Sequence, residues 1–506
     1  MSATINKEQF EYAKRVYTFN ETIKAECKVD NLNDCEILST IPQLATPKVE
    51  TTDGAIKVYG RLTFFIAYQK EGVIKRLESS AEYSATIKND QVTSEQSAFV
   101  TANVIKCDEY YSTSSLILTA TIDLGCDLIK PCKAEFISAG QDVILKTEIL
   151  PIAKSFGKKQ SKITVTEEFE LPKLIDEVIY HTENVFVTDC KAGIGSILID
   201  GDCTITSYIL QKNSNSDIVK ETHTFPFRLE IAEERAMPTM QAIARANVES
   251  AKIFVTCYEE TGTSTVKAEV ELLLVGEAFD TVDTPIAIDA YSTFEELSTL
   301  SEELYFEQKH VPVCVTEKFC ERINFDELAV GTKIVTAYPN GISNFYTNVL
   351  DGKLNIDATI GFTTIFKDEN GACFSKQLTL PVSINTDYNV SQNQTASICS
   401  FYPTDFNAKQ ISLGELEVYG AVRFCVYAET TNTVLALIDA TVQGEIVPND
   451  NAFSVYIPYK GEDLWSVSKR IGISPDEVVA CNPELDFPLT GDERLLVYRQ
   501  KTKEYT

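Results

Sequence analysis

Apolar and polar side chains alternate with a period of two residues along most of the first 450 residues of the chain. This period is typical of strands that bury one face of a sheet, whereas helices repeat their apolar positions every three to four residues. The longest alternating or β-branched runs span residues 56–68, 197–209 and 353–366. We therefore predict a mainly β body built from antiparallel strands.

Short polar segments rich in Gly, Asn and Asp separate these runs, where hairpins need turns. The turn segments are Asp53-Gly54, 70–72, 213–217, Asp351-Gly352 and 368–371. One segment interrupts the pattern, because Glu and Leu crowd at helical spacing around residues 292–304. There the sequence predicts a few helical turns.

Two short landmarks recur at long spacing and indicate internal repeats. Residues 165–169 read Val-Thr-Glu-Glu-Phe, and residues 315–319 read Val-Thr-Glu-Lys-Phe. The segment 101–104 resembles 245–248 and, more loosely, 395–398. The predicted division is into β-rich repeats at 1–155, 156–305 and 306–450, followed by a short module at 451–500.

The pattern changes in the C-terminal module, where helix signals appear. Residues 456–459 are predicted to form a short strand, and Gly461 allows a sharp turn after it. Asp463 is a good N-cap for a helix that begins at Leu464. Gly472 ends this helix, since glycine readily adopts the left-handed conformation of a helix C-terminus.

A second helix signal follows directly. Ser474 and Glu477 form a capping box with Pro475 at the first helical position, so each polar side chain can satisfy one unpaired backbone amide. Asn482-Pro483 ends the second helix. The apolar run at 494–498 predicts a returning strand, which completes the order strand, helix, helix, strand.

This order, with Gly-Glu-Asp-Leu-Trp at 461–465, resembles the LysM family. The resemblance implies a βααβ fold in which two loops, 460–465 and 482–489, form a shallow groove for polymers of N-acetylglucosamine. The groove residues that it implies for glycan or partner binding are Lys460, Gly461, Asp463, Leu464, Trp465, Asn482, Pro483 and Leu489. Asp463 departs from the usual Thr or Ser, and Pro458 from the usual β-branched residue. Trp465 either lines this groove or packs the small core of the module.

The chain is strongly acidic, with 45 Lys and Arg against 74 Asp and Glu and a formal net charge of −29. No basic cluster is present that could neutralise a phosphate backbone, so we expect neither nucleic acid nor bare anionic lipid as a partner. The N-terminal residues lack the pattern of a signal peptide, and no apolar stretch of about 18 residues occurs. These features predict a cytoplasmic protein without direct membrane insertion, whose 14 cysteines are reduced.

Motifs of known catalytic or metal-binding chemistry are missing from the sequence. It contains no phosphate-binding glycine loop, no Gly-x-Ser-x-Gly motif, no Cys-x-x-Cys pair and only three histidines. Paired acidic residues such as Glu167-Glu168 are expected to form a solvated face in so acidic a chain. We expect no catalytic residues, no metal and no cofactor, and thus no enzyme.

Three β-rich repeats followed by one LysM-like module resemble the SPOCS-domain spore-coat proteins of endospore-forming bacteria. The resemblance implies a non-enzymatic scaffold at the forespore surface, in the cytoplasm of the mother cell. Its module would bind the coat morphogenetic ATPase, and other coat proteins would be further partners. The alternative is a cell-wall or spore-cortex protein whose module binds peptidoglycan. The repeats could self-associate, recruit further coat layers or space the module from another anchor.

Overall fold

A computed structural model describes residues 4–32, 35–112, 115–155, 158–212, 218–391, 394–446 and 452–498. Within these ranges the chain is mainly β-structure, with two short helices near its C-terminal end. The mainly β prediction is therefore confirmed. No helix in the described part of the chain is long and apolar enough to cross a membrane.

The first seven strands form two antiparallel sheets with an apolar core between them. They are β1 (Thr4–Asp30), β2 (Glu36–Leu44), β3 (Lys48–Thr52), β4 (Ala55–Lys70), β5 (Val73–Lys88), β6 (Ser97–Ser112) and β7 (Ser115–Gln141). In one sheet β7 lies between β1 and β6, and in the other β4 pairs with β2, β3 and β5. Ile56 and Phe64 from one sheet meet Leu118 and Ile122 from the other. This is the first sandwich.

The next seven strands form the second sandwich in the same way. They are β8 (Ile144–Ser155), β9 (Lys159–Leu171), β10 (Ile175–Ala192), β11 (Ser196–Gln211), β12 (Ile218–Ala232), β13 (Gln241–Tyr258) and β14 (Thr263–Tyr291). β14 pairs with β13 and β9 along its first half and with β8 along its second. The sheet β10–β11–β12 covers it, with Ile199 and Phe225 packed against Val270 and Leu272.

A third sandwich repeats the arrangement. Its strands are β15 (Glu295–Lys309), β16 (Val313–Asn324), β17 (Lys333–Leu350), β18 (Lys353–Lys367), β19 (Cys373–Asn389), β20 (Gln394–Ser412) and β21 (Glu415–Glu445). The start of β21 pairs with β16 and β20, and its end pairs with β15. The sheet β17–β18–β19 faces them across a core that includes Ile360, Phe362 and Phe424.

The last strand of each sandwich is unusually long and continues beyond its sheet. β7, β14 and β21 have 27, 29 and 31 residues. Their final halves pair with the first half of β1, with β8 and with β15, respectively. Each sandwich therefore carries a two-stranded ribbon whose side chains need another surface for burial.

The three ribbons bury their apolar side chains against one another. Phe10 and Phe136 of the first ribbon, Ile152 of the second and Phe306 of the third belong to one buried cluster. The ring centroids of Phe136 and Phe306 are 6.3 Å apart with nearly perpendicular planes, a favourable edge-to-face geometry. The three sandwiches are thus joined through a shared core and not only through the segments that connect them along the chain.

A second shared core joins the sheets on the other side of the sandwiches. Phe65 on β4, Tyr180 and Tyr208 on β10 and β11, and Tyr338 on β17 form one buried cluster. The rings of Tyr208 and Tyr338 are 5.0 Å apart, and those of Phe65 and Tyr180 are 6.1 Å apart. All three sandwiches contribute to this core, so their relative positions are fixed at two places.

Most strand predictions are confirmed, and one helix prediction is wrong. The runs at 56–68, 197–209 and 353–366 lie in β4, β11 and β18. The segment 292–304, predicted as helical turns, instead contains the start of β15, because pairing with β21 buries Leu304 and Phe306 on one face. The predicted turn at 213–217 lies outside the described residues.

The first two predicted repeat boundaries lie a short distance after the points where the chain passes from one sandwich to the next. The boundary at 155 follows β8, and the boundary at 305 falls inside β15. Strand pairing groups β8 with β14, and β15 with β21. Each ribbon is therefore completed by a strand that precedes the rest of its own sandwich.

Candidate docking site on the C-terminal module

The C-terminal module consists of β22 (Phe453–Tyr456), α1 (Leu464–Ile471), α2 (Pro475–Cys481) and β23 (Leu495–Tyr498). β22 and β23 pair antiparallel as a two-stranded sheet. The first strand was predicted at 456–459, and the structure shifts it to 453–456. Pro458 explains the shift, because it has no backbone N–H to donate to a strand ladder.

The predicted start and end of α1 are confirmed. Oδ1 of Asp463 accepts a hydrogen bond of 2.8 Å from the backbone N–H of Ser466, and this bond lowers the pKa of Asp463. Gly472 ends the helix in the left-handed conformation, with φ of 67°. Because both signals act within a few residues, they can be read from the sequence alone.

The capping box of α2 is also present as predicted. Oγ of Ser474 accepts from the backbone N–H of Glu477, and Oε2 of Glu477 accepts from the backbone N–H of Ser474. Pro475 is at the first helical position, and Asn482 is the C-cap. The two helices pack over a small core that contains Val467, Val478 and Leu495.

Backbone hydrogen bonds hold the two predicted groove loops together. The N–H of Gly461 donates to the carbonyl of Leu489 over 2.7 Å, and the N–H of Leu489 donates to the carbonyl of Glu462 over 2.9 Å. Gly461 has a φ of 87°, a conformation that other residues rarely adopt. Gly491 has a φ of 99°, and a Cβ atom there would lie 3.1 Å from the backbone nitrogen of Lys460. The glycines thus permit the close approach of the loops.

Three of the predicted groove residues serve the fold of the module. Asn482 is buried, and its Nδ2 donates to the carbonyls of Val478 and Leu496 while its Oδ1 accepts from the N–H of Leu496. Leu489 belongs to the small core and Leu464 packs against it. The side-chain amide of Asn482 thus forms hydrogen bonds to backbone groups of the module. Of the remaining predicted groove residues, Lys460 and Pro483 are exposed.

Trp465 faces the second sandwich. Its Nε1 donates a hydrogen bond of 2.7 Å to Oδ2 of Asp289, near the end of β14. Its ring meets the ring of Tyr291 edge to face, with centroids 5.1 Å apart. This contact with the body was not among the roles predicted for Trp465.

Three further contacts attach the module to the second sandwich. Oδ1 of Asp289 lies 2.5 Å from Nζ of Lys469, and the hydroxyl of Tyr291 donates to the carbonyl of Ile473 over 2.7 Å. Asp463 lies 3.6 Å from Nζ of Lys146 on β8. Burial of Asp289 opposes its ionisation, but hydrogen bonds from Lys469 and Trp465 outweigh burial, so its pKa is lowered.

We call this set of contacts the module–body contact; on the body it consists of Lys146, Asp289 and Tyr291. Sequence reasoning did not identify these three residues. Tyr291 is separated from Ile473 by 182 positions along the chain. No local pattern marks a residue whose partner is so distant.

The outer face of the two-stranded sheet is apolar and exposed. Phe453 pairs with Tyr498, and Val455 pairs with Leu496 across the strands. We define the apolar face by six side chains that are between 43% and 69% exposed: Phe453, Val455, Ile457, Tyr459, Leu496 and Tyr498. The inner face carries Leu495 and Val497, which are buried in the module. Both faces of β23 are thus apolar, which is unusual for a two-stranded sheet at a surface.

Sequence reasoning also missed the apolar face, although a signal for it exists. The run Leu-Leu-Val-Tyr at 495–498 is apolar at every position, while a half-buried strand alternates. The sequence-based prediction of a groove concerned only the two loops.

A positive charge lies at the rim of the apolar face. The guanidinium of Arg470 lies over the ring of Tyr459, 4.9 Å from its centroid, and 2.7 Å from Oε1 of Glu462. Glu462 is buried and also accepts hydrogen bonds from the hydroxyl of Tyr456 and the backbone N–H of Tyr459. These contacts fix the backbone at Tyr459 and place an aromatic ring at the end of the face.

A metal-binding arrangement is not found among the residues that the structure describes, since no group of three or more His, Cys, Asp or Glu side chains is placed to hold an ion. The site consists of an exposed apolar face and a charged rim on a small module that rests on the second sandwich. Such a surface can bind another macromolecule through buried area.

Comparison of the chain with protein-family models, curated proteins and solved structures gave no match.

Proposed function

We propose that the chain is a non-enzymatic scaffold or adaptor in spore-coat assembly, whose C-terminal module docks on the coat morphogenetic ATPase at the forespore surface. The observation that carries the proposal is the exposed apolar face of the module. Exposed apolar surfaces of this kind on otherwise polar proteins are typical of protein interaction sites.

The composition of the apolar face favours a protein partner over a glycan. Val455, Ile457 and Leu496 are aliphatic and offer no hydrogen bonds to sugar hydroxyls or acetamido groups. Sugar binding needs polar groups that converge with an apolar floor. At the predicted groove, Asn482 is committed to backbone partners and Trp465 contacts Asp289.

The architecture of the body supports a scaffold. Two shared cores hold the three sandwiches together, through Phe136 and Phe306 on one side and Tyr208 and Tyr338 on the other. A rigid body of this kind can hold the module at a defined position while its sheet faces and edges stay available to other coat proteins. The identity of the partners and the mother-cell location rest on the resemblance to the SPOCS-domain and LysM families.

The test uses the full chain, purified coat morphogenetic ATPase and purified peptidoglycan. Val455→Glu places a charge in the apolar face and should reduce ATPase capture at least about tenfold, since burying an unpaired charge costs several kcal/mol. The matched control is Val330→Glu, which changes an exposed valine of the third sandwich and should leave capture unchanged.

Two results would contradict the proposal. One is equal capture of the ATPase by the Val455→Glu variant and the unchanged chain. The other is sedimentation of the full chain with peptidoglycan in the absence of ATPase capture, which would favour the glycan-binding alternative.

A further inference from the structure

Two cysteines face each other across neighbouring strands at the seam between the second and third sandwiches. Cys314 on β16 pairs directly with Cys425 on β21 in the strand register. Their Sγ atoms lie 2.6 Å apart. A disulfide bond has a length of about 2.05 Å, so a small movement of the side chains is enough to form one.

The two thiols differ in their access to solvent. Cys314 is exposed, and its Sγ donates a hydrogen bond of 3.3 Å to the carbonyl of Val187 on β10. Cys425 is buried and lines a cavity of about 60 Å³ with Val311 and Pro312, the segment that leads into β16. A small oxidant can therefore reach Cys314 from solvent, while Cys425 is held beside it as the second thiol.

A third cysteine lines the same cavity but is poorly suited to react. Burial raises the pKa of Cys190 to about 12, and the neighbouring carboxylate of Asp189 adds to this effect. The thiolate is the reactive form of cysteine, and almost none of it forms at this site near neutral pH. Cys425 is itself buried, so it is the 2.6 Å distance between its Sγ atom and that of Cys314 that favours it over Cys190 as the second thiol.

We propose that Cys314 and Cys425 form a thiol oxidation site that a small peroxide converts to a disulfide. The thiolate of Cys314 attacks one oxygen of hydrogen peroxide, the O–O bond breaks, and a sulfenic acid and hydroxide form. Sγ of Cys425 then attacks the sulfur of the sulfenic acid. The S–S bond forms, the S–O bond breaks, and water leaves with the thiol proton. Two thiols are oxidised, one peroxide is reduced and two waters are released.

The disulfide would covalently join two strands of the third sandwich at the seam. Cys314 and Cys425 are separated by 111 positions along the chain, so the cross-link closes a long loop. Closing a long loop restricts the unfolded chain and stabilises the folded one. The disulfide would form whether or not the C-terminal module docks on a partner.

The test treats the full chain with hydrogen peroxide, blocks the remaining thiols and maps disulfide-linked peptides by mass spectrometry. The expected result is a peptide pair that joins Cys314 to Cys425, is absent before oxidation and is lost on reduction. Cys314→Ser and Cys425→Ser should each abolish it. Cys320→Ser, which removes another exposed cysteine of β16, should leave it unchanged.

Peptide mapping of the oxidised, unsubstituted chain is enough to contradict the proposal, whether or not the serine variants fold. The proposal fails if Cys320 is oxidised while no Cys314–Cys425 peptide forms. It also fails if the dominant cross-link joins either partner to Cys190 or to Cys399, which lies at the bulge of β20 opposite Cys425. A second readout is the midpoint of thermal unfolding, which should rise on oxidation of the unsubstituted chain and remain constant for Cys314→Ser.

Discussion

Asp289 binds two residues of α1 with one carboxylate: Oδ2 accepts from Nε1 of Trp465 over 2.7 Å, and Oδ1 lies 2.5 Å from Nζ of Lys469. Trp465 and Lys469 are four residues apart and therefore share one face of the helix. This face of α1 rests on the second sandwich, so one acidic side chain near the end of β14 supplies two of the contacts that orient the module.

Loss of the Asp289 carboxylate should loosen the module–body contact. In Asp289→Ala the indole of Trp465 loses its acceptor and Lys469 loses its counter-charge, a cost of about 2 kcal/mol. Trp465 is the only tryptophan of the chain, so its fluorescence reports this site alone. We expect a red shift of the emission and stronger quenching by iodide. Asp283→Ala removes an exposed carboxylate of the same strand and should change neither.

The module–body contact should also weaken in acid. Because the pKa of Asp289 is lowered in the docked state, its carboxylate stabilises docking above the ordinary pKa of about 3.9 and loses this effect as the pH falls through the lowered value. Trp465 emission should stay constant from neutral pH to about 4 and shift to the red below it.

Substitutions separate this transition from other acid effects. Asp289→Asn cannot titrate and should lack the transition. Asp463→Ser keeps an N-cap for α1 and should retain it. If the far-ultraviolet circular dichroism changes at the same pH as the emission, the transition is unfolding of the protein and the assignment to Asp289 is wrong.

Asn482 should be essential for the fold of the module. Replacement by alanine leaves the N–H of Leu496 and the carbonyls of Val478 and Leu496 without their side-chain partner, at a cost of about 2–3 kcal/mol. Faster amide hydrogen exchange in peptides that cover 452–498 would show it, with the body unchanged. The control is Asp486→Ala, at an exposed position of the neighbouring loop. It should leave the amide exchange rates of these peptides as they are in the unsubstituted chain.

The shared core of the ribbons should carry much of the stability of the body. Phe306 is fully buried against Phe10 and Phe136, so Phe306→Ala should lower the free energy of unfolding by about 3–5 kcal/mol. Urea denaturation followed by circular dichroism measures this loss. Phe294→Ala removes a phenylalanine that is 66% exposed and should cost less than about 1 kcal/mol. If the two substitutions lowered the free energy of unfolding equally, the shared core of the ribbons would contribute little to the stability of the body.

Local patterns were sufficient to predict many individual elements. The alternation in 56–68 predicted β4, and the Asp463 and Ser474 caps predicted the starts of α1 and α2. Each of these signals acts between residues at most four positions apart, so the sequence contains both partners of the interaction within one short window. The mainly β class follows from the same signals.

Long-range pairing could not be predicted in this way. Residues 292–304 have a helical pattern, yet β15 forms there because β21 offers a strand partner and the ribbon core buries Leu304. Propensity for a strand depends on its neighbours, and those neighbours lie more than a hundred residues further along the chain. The apolar face was missed for a related reason, since its exposure depends on what the rest of the fold leaves uncovered.

The same distinction between local and long-range interactions applies to the candidate site. The sequence alone predicted the helix caps of the module and singled out Asp463 and Trp465. The contact of Trp465 with Asp289 and of Cys314 with Cys425 joins residues 176 and 111 positions apart. Such contacts are determined by how sheets pack and how strands register, because the free energy that holds them comes from burial of the whole body rather than from any short segment.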